Sequence, residues 1–376
     1  MRVGVTFFMQ NYEDWGRHEA KAYEQPARTV DWQIYEDGLR LANLVEPLGF
    51  DSLWTVEHHF TPYTMVPNPL QFLTYMAGRT TRIDFGTMVI VLPWHDPVQV
   101  AEEIAMLDNL LEGRRLTLGL GRGAGRVEFE GMRVAMGESR GRFLEALEVL
   151  RRALGDETFS FEGEFYNVPP MSIRPRPRSG KALLDRMYCA WGSPETVPMA
   201  AKAGLAPLFI PQKSWEEIAD EVALFNSVRA EQGWEPQQPT VVCWVYCAET
   251  DDEAWDVARE YMGNYVNSAY RHYEIFDPEH FEKAGNYQFY ADMARKRAQV
   301  SDDVAVDAFS SVQVWGTPER CIEALRNIQR TTGANEFVGV FNYGDLPVDL
   351  AEKSMRLFAE KVLPVMQLEE AAPVFR

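Results

Sequence analysis

The sequence has no apolar run approaching the roughly 20 residues needed to cross a bilayer, and its first residues lack the basic-then-apolar pattern of a secretory leader. No membrane association is expected, and the predicted location is the cytoplasm. Basic charge is also short: 37 Lys and Arg stand against 56 Asp and Glu, for a formal charge of −19. A nucleic-acid groove or a polybasic membrane surface needs the opposite balance, so nucleic acid is not an expected partner. Cysteine is scarce as well. Cys189, Cys243, Cys247 and Cys321 are widely spread and outside CxxC spacing, which reads as reduced core residues and leaves no disulfide framework. Tandem repeats and low-complexity tracts are missing too.

What is present is ample core material. Hydrophobic residues make up 46% of the 376, enough for two average domains or for one α/β barrel with insertions. The stretch Phe50 to Val56 reads as a strand buried on both faces. It runs without a break into Glu57-His58-His59-Phe60, placing titratable groups at a strand's C-terminal end. In a parallel α/β barrel that end opens into the βα loops, where chemistry sits.

Eight apolar runs read as strands: 3–8, 50–56, 83–92, 116–121, 186–191, 206–211, 240–247 and 337–341. A helical pattern follows each of them. Asn68-Pro69, Asp96-Pro97, Ser193-Pro194 and Thr317-Pro318 repeat a polar cap followed by proline, a helix start at which the missing N–H costs nothing. The expected fold is a (β/α)8 TIM barrel, one domain over 1–376. Insertions are expected at about 10–30, 156–185 and 263–311. The last, with no clean period, is a candidate mobile lid.

Several polar residues then fall at strand C-termini. Ser193 and Thr196 are expected on the first turn of a helix, whose free N–H groups and positive dipole end favour a phosphate. Arg122 and Arg140 lie in an arginine-rich stretch of an otherwise acidic chain and would supply bidentate charge to the same anion. A Ser-Pro-Glu-Thr helix start also occurs without any ligand. The loop from Gly119 to Gly125 lacks strict GxGxxG spacing, so it is no dinucleotide signature. Neighbouring His58 and His59 point to opposite faces of an extended strand and do not easily share a metal, so none is expected. His58 suits proton transfer, with Glu57 to orient or polarise it, while His59 reads as a buried histidine satisfying a hydrogen bond.

The chain resembles the bacterial luciferase family of flavin-dependent monooxygenases along its whole length, and the luciferase α-subunit in particular. The matching pieces are Glu57-His58-His59-Phe60-Thr61, Asn68-Pro69, Gly86-Thr87, Ile90-Val91-Leu92-Pro93, Gly121-Arg122-Gly123, Ser139-Arg140, Gly316-Thr317-Pro318-Glu319, and Met355-Arg356-Leu357-Phe358 with Val362-Leu363-Pro364. The resemblance implies a barrel that binds reduced FMN, delivered by a separate flavin reductase. Flavin and O2 would act through a C4a-peroxyflavin to oxygenate an apolar organic substrate. It assigns phosphate contacts to Arg122, Arg140, Ser193 and Thr196 and the catalytic role to His58; Gly192 is expected among the cofactor-binding residues and Glu57 beside His58 in the catalytic pair. It also implies a non-proline cis peptide at Met88-Val89 beneath the flavin, a mobile loop over 283–311 and a homodimer. Where the luciferase α-subunit carries a reactive cysteine this chain has Gly121, which is expected to open space near the flavin and favours a monooxygenase that emits no light. A deazaflavin (coenzyme F420)-dependent oxidoreductase of the same fold, or a non-catalytic flavin-binding subunit, are the other readings.

Overall fold

The computed structural model describes residues 1–285 and 287–369. Asn286, inside the predicted lid, and residues 370–376, at the end of the predicted domain, lie outside the described residues. Eight parallel strands close into a barrel. They are β1 (Arg2–Phe7), β2 (Ser52–Thr55), β3 (Asp84–Val91), β4 (Leu116–Gly121), β5 (Met187–Ala190), β6 (Ala206–Phe209), β7 (Thr240–Cys247) and β8 (Glu336–Val340). Each pairs with the next in chain order. β8 then returns to β1 with Val3 opposite Phe337, and β6 meets β7 at Leu208 opposite Thr240. This is the TIM barrel expected from the sequence.

The strands are legible because a parallel sheet is covered on both faces and therefore reads as unbroken apolar runs. β4 and β7 are buried at every position. The helix starts follow their caps. The side chains of Asn68, Asp96 and Thr317 accept backbone N–H groups of the first turn, and proline follows each of them. Ser193-Pro194 departs from this pattern: the helix there begins only at Thr196, and Glu195 before it makes no side-chain cap. At the N-terminal end of the barrel Ser52 Oγ donates to Glu336 at 3.0 Å and Trp54 Nε1 donates to Ser52 at 2.8 Å. That end is plugged, which leaves the other for chemistry.

The expected irregular segments contain more structure than the sequence suggests. Residues 156–185 carry an antiparallel ribbon of Phe159–Glu162 and Asn167–Met171. The helix after β7 does not end where the insertion was expected to begin, at about 263, but runs over Asp251–His272 and is followed by Glu279–Ala284, Gln288–Arg297 and Asp302–Ser311. The period continues through Ala254, Ala258, Met262, Tyr265, Ser268 and His272, all buried. Its later turns put Tyr, Ser and His on the core side, so hydropathy hides a face that packing uses. Ser268 receives a hydrogen bond from Trp15 Nε1 at 2.5 Å.

Candidate active site

Beyond β2 the chain stays extended and turns at Phe60, a non-glycine residue with φ of 66°. Alternation sends Glu57 and His59 to one side and His58 to the other. Glu57 is fully buried. Its Oε1 accepts from His95 Nε2 at 2.6 Å and from His59 Nε2 at 3.1 Å, and its Oε2 accepts the Val91 N–H at 2.8 Å. Burial alone would raise this carboxyl, but the donors from His59, His95 and Val91 outweigh it and hold it below its ordinary value. Burial likewise opposes protonation of His95, and Glu57 overrides it in the upward direction.

The expectation that Glu57 orients His58 is therefore corrected, since its oxygens are taken by His59, His95 and Val91. The partner of His58 is Glu128, on the short helix Arg126–Met132 after β4. Glu128 Oε1 accepts from His58 Nδ1 at 3.0 Å and from the His59 N–H at 2.9 Å. Its Oε2 lies 3.3 Å from Nε2 of His272, the last residue of the long helix, and both side chains are fully buried. Burial raises Glu128, yet the pull of His58 and His272 prevails and keeps it ionised well below the carboxylate range. Each of two buried carboxylates thus sits between two imidazoles, and adjacent His58 and His59 bond to different ones through their rings.

With Nδ1 committed to Glu128, His58 has Nε2 as its remaining nitrogen, 3.5 Å from the Tyr273 hydroxyl. His58 lines a cavity of about 730 Å³ at the C-terminal end of the barrel, a size normal for a cofactor with its substrate. Met88, Val89 and Gly121 line it from β3 and β4, Arg122, Gly192 and Ser193 from the loops after β4 and β5, and Thr196 from the first position of the helix that follows. The β3–β4 register shifts between Thr87 and Ile90, and the Met88-Val89 peptide in that interval is cis. On the opposite side Trp244 packs on Tyr265 at 4.3 Å and on Phe309 at 5.1 Å. Arg140, expected among the phosphate contacts, does not line the cavity; its guanidinium lies 3.9 Å from Glu195. From the segment above, Tyr287 places its ring 4.4 Å from the Arg122 guanidinium and donates to Gly123 O at 2.8 Å.

Gly121 does not open space. A Cβ there would overlap Val89 Cγ2, so the volume expected to be free is filled by the Val89 side chain. Sequence reasoning also missed Glu128 and His272. For Glu128 no local signal exists, whereas His272 falls on the continued helical period.

Replacing Glu57 by Gln should cost about 3 kcal/mol at neutral pH by breaking a buried charge pair. The sign follows from the depressed carboxyl: its contribution is present above the unfolded value of 4.5 and is lost as pH falls through the lower folded one. Urea midpoints from pH 7 to pH 3 should therefore fall more steeply for the parent chain than for Glu57→Gln; parallel curves would remove this role.

A plugged parallel barrel whose open end holds a cavity lined by a guanidinium, two hydroxyls, apolar side chains and a carboxylate-backed imidazole has the form of a barrel-enzyme active site. Residues 2–336 match the model of the luciferase-like monooxygenases, and the chain belongs to that family. It is 28% identical over 352 residues to the alkanal monooxygenase alpha chain of Photobacterium leiognathi, covering 90% of this chain and 96% of that one. Among solved structures it is similar to monooxygenase RslO1 from Streptomyces bottropensis, with a TM-score of 0.73, 28% identity and coverage of 97% and 99%. Two more distant structures share the fold. One is the oxygenating constituent of 3,6-diketocamphane monooxygenase from Pseudomonas putida in complex with FMN, with a TM-score of 0.70, 23% identity and coverage of 97% and 98%. The other is an F420-dependent secondary alcohol dehydrogenase, with a TM-score of 0.67, 18% identity and coverage of 97% and 99%.

Proposed function

We propose that this protein is the oxygenating component of a two-component, FMN-dependent monooxygenase. It would take reduced FMN from a separate flavin reductase, use O2, act on an apolar organic substrate and emit no light. The observation that carries the reading is that phosphate-type donors and a carboxylate-backed histidine line one cavity. When bound, reduced FMN supplies the reaction with O2 from which one oxygen atom reaches the substrate.

In this reading Arg122, Ser193 and Thr196, with Arg140 and the Gly192 backbone, hold the phosphate, and Met88 and Val89 support the ring. His58 Nε2 accepts or returns the proton of the reacting group, while Glu128 keeps the other nitrogen protonated. Trp244, Tyr265 and Phe309 offer an apolar wall to the substrate. The helices from Glu279 to Ser311 act as the lid that excludes water. Tyr75, Met106 and Leu110 leave large apolar surfaces exposed on the barrel helices Pro69–Ala77 and Pro97–Leu110, which supports a homodimer through them. A cytoplasmic location is part of the same proposal.

Mixing the protein, a flavin reductase and FMN under ¹⁸O2 with a panel of apolar aldehydes, ketones and aromatics tests the reading by mass spectrometry. One ¹⁸O in a product supports it. Substrate turnover under nitrogen that depends on F420 would replace it with the deazaflavin reading, which the shared fold of the alcohol dehydrogenase favours. Arg122→Ala should weaken FMN binding about 10- to 100-fold, as expected for loss of a charged hydrogen bond, measured by flavin fluorescence quenching. Unchanged affinity would remove Arg122 from the phosphate site.

A further inference from the structure

We propose that His58, Glu128 and His272 form one proton-sharing chain, in which Glu128 and His272 are positioning residues for the His58 imidazole and the last turn of the helix Asp251–His272 completes the arrangement. This deepens the role given to His58 above and rests on it for its catalytic meaning, though not for its structural content.

The chain can be followed atom by atom. The Thr61 hydroxyl lies 2.7 Å from His272 Nδ1, and His272 Nε2 lies 3.3 Å from Glu128 Oε2. Glu128 Oε1 then meets His58 Nδ1 at 3.0 Å. An ionised carboxylate only accepts, and a neutral imidazole has one donor and one acceptor nitrogen. His58 therefore carries its proton on Nδ1, toward Glu128 Oε1. The 3.3 Å contact of His272 Nε2 with Glu128 Oε2 is not an aligned hydrogen bond, but a bare lone pair there would face the carboxylate and be repelled, so His272 keeps its proton on Nε2. Thr61 donates to His272 Nδ1, and His58 Nε2 becomes an acceptor. The tautomer of the candidate base is set by a carboxylate that is itself steadied from a different element.

The corner is built for this contact. A Cβ at Gly125 would stand 2.6 Å from Glu128 Oε2 and 3.1 Å from His272 Nε2, so only a bare backbone lets the two approach. The rings of His58 and His272 are 4.9 Å apart, and Tyr63 stacks on His272 at 4.7 Å. The groups facing the chain are Tyr63 from the loop after β2, Arg126 from the short helix that carries Glu128, and Tyr265, Tyr273 and Glu274 from the long helix and its end. Arg126 donates to Glu274 at 2.8 Å and to Glu130 at 2.7 Å, so that guanidinium is engaged elsewhere. The two imidazoles and the His59 N–H are left to balance Glu128. Burial lowers His272 further than Glu128 raises it, and His58 lowers it again, so His272 faces Glu128 as a neutral imidazole.

The test is ¹⁵N NMR of the full chain labelled at histidine, with resonances assigned through His58→Gln and His272→Gln; it needs no flavin and no turnover. At neutral pH His58 should carry its proton on Nδ1 and His272 on Nε2. The His272 midpoint should fall in Glu128→Gln, where the attracting charge is lost, and rise in His58→Gln, where the like charge is lost. Opposite movements of one resonance do not arise from loosened packing alone. Thr61→Val serves if Glu128→Gln fails to fold: with its hydroxyl donor gone the His272 Nδ1 resonance should shift, while Glu128 keeps the proton on Nε2. A wild-type His58 protonated on Nε2, a His272 indifferent to these changes, or a stoichiometric divalent metal held by the three side chains would overturn the proposal. Failure of the ¹⁸O experiment with these tautomers intact would overturn the monooxygenase reading and leave the chain standing.

Discussion

His58→Ala should lower product formation by about 10²- to 10³-fold, the range for removing a positioned acid or base, while FMN affinity stays nearly unchanged. The separation follows from where the groups stand. His58 bonds through Nδ1 to Glu128 at 3.0 Å, whereas Arg122 and Ser193 come from the loops after β4 and β5 and Thr196 from the start of the next helix. Removing the imidazole leaves those residues in place. It also strips Glu128 of one of its two histidine partners, and the deficit falls on a fully buried carboxylate. Some loss of stability is therefore expected beside the loss of chemistry. Single-turnover product yield and flavin fluorescence quenching, measured on the same preparation, separate the two effects. A parallel loss of FMN binding would mean that His58 shapes the cavity rather than moving a proton.

Gly119→Ala should destabilise the fold by about 3 kcal/mol or more and disturb the cofactor floor at the same time. A Cβ at position 119 would overlap the Thr87 carbonyl oxygen and lie 3.0 Å from its carbon. The obstacle is backbone of a paired strand, so no side-chain rotation relieves it. Thr87 Oγ1 also donates to Gly119 O at 2.9 Å, which ties β3 and β4 together at this level. Separating them must move the next residues along β3, Met88 and Val89, which line the cavity. Urea unfolding should show a lower midpoint at unchanged slope, with weaker FMN binding well below that midpoint. A normal midpoint would show that the strands yield more easily than this contact implies.

The parts of the molecule that the sequence made legible are those set by local chemistry. Strand β4 coincides with the expected Leu116–Gly121 because Gly and Arg bound an apolar run on both sides. The helices at Pro69, Pro97 and Pro318 begin where a capping side chain precedes proline. The helices between 263 and 311 were hidden because their buried faces include Tyr, Ser, His and Arg. Alternation along the strand told that His58 and His59 diverge. The same rule sends Glu57 with His59, yet composition alone made the nearest carboxylate look like the partner of His58.

By itself, then, the sequence determined the barrel, the end of it that carries chemistry, and the divergence of the two histidines, since strand burial, helix capping and side-chain alternation act within a few residues. Tertiary structure alone decided which carboxylate meets which imidazole. Glu128 reaches His58 across 70 residues and His272 meets Thr61 across 211. It likewise decided that Val89 fills the space beside Gly121, because that depends on how β3 and β4 shift past one another. The physical reason is the same in each case: a hydrogen bond or a packed volume between distant segments is chosen by closure of the barrel, and closure brings together side chains whose local patterns carry no mark of one another.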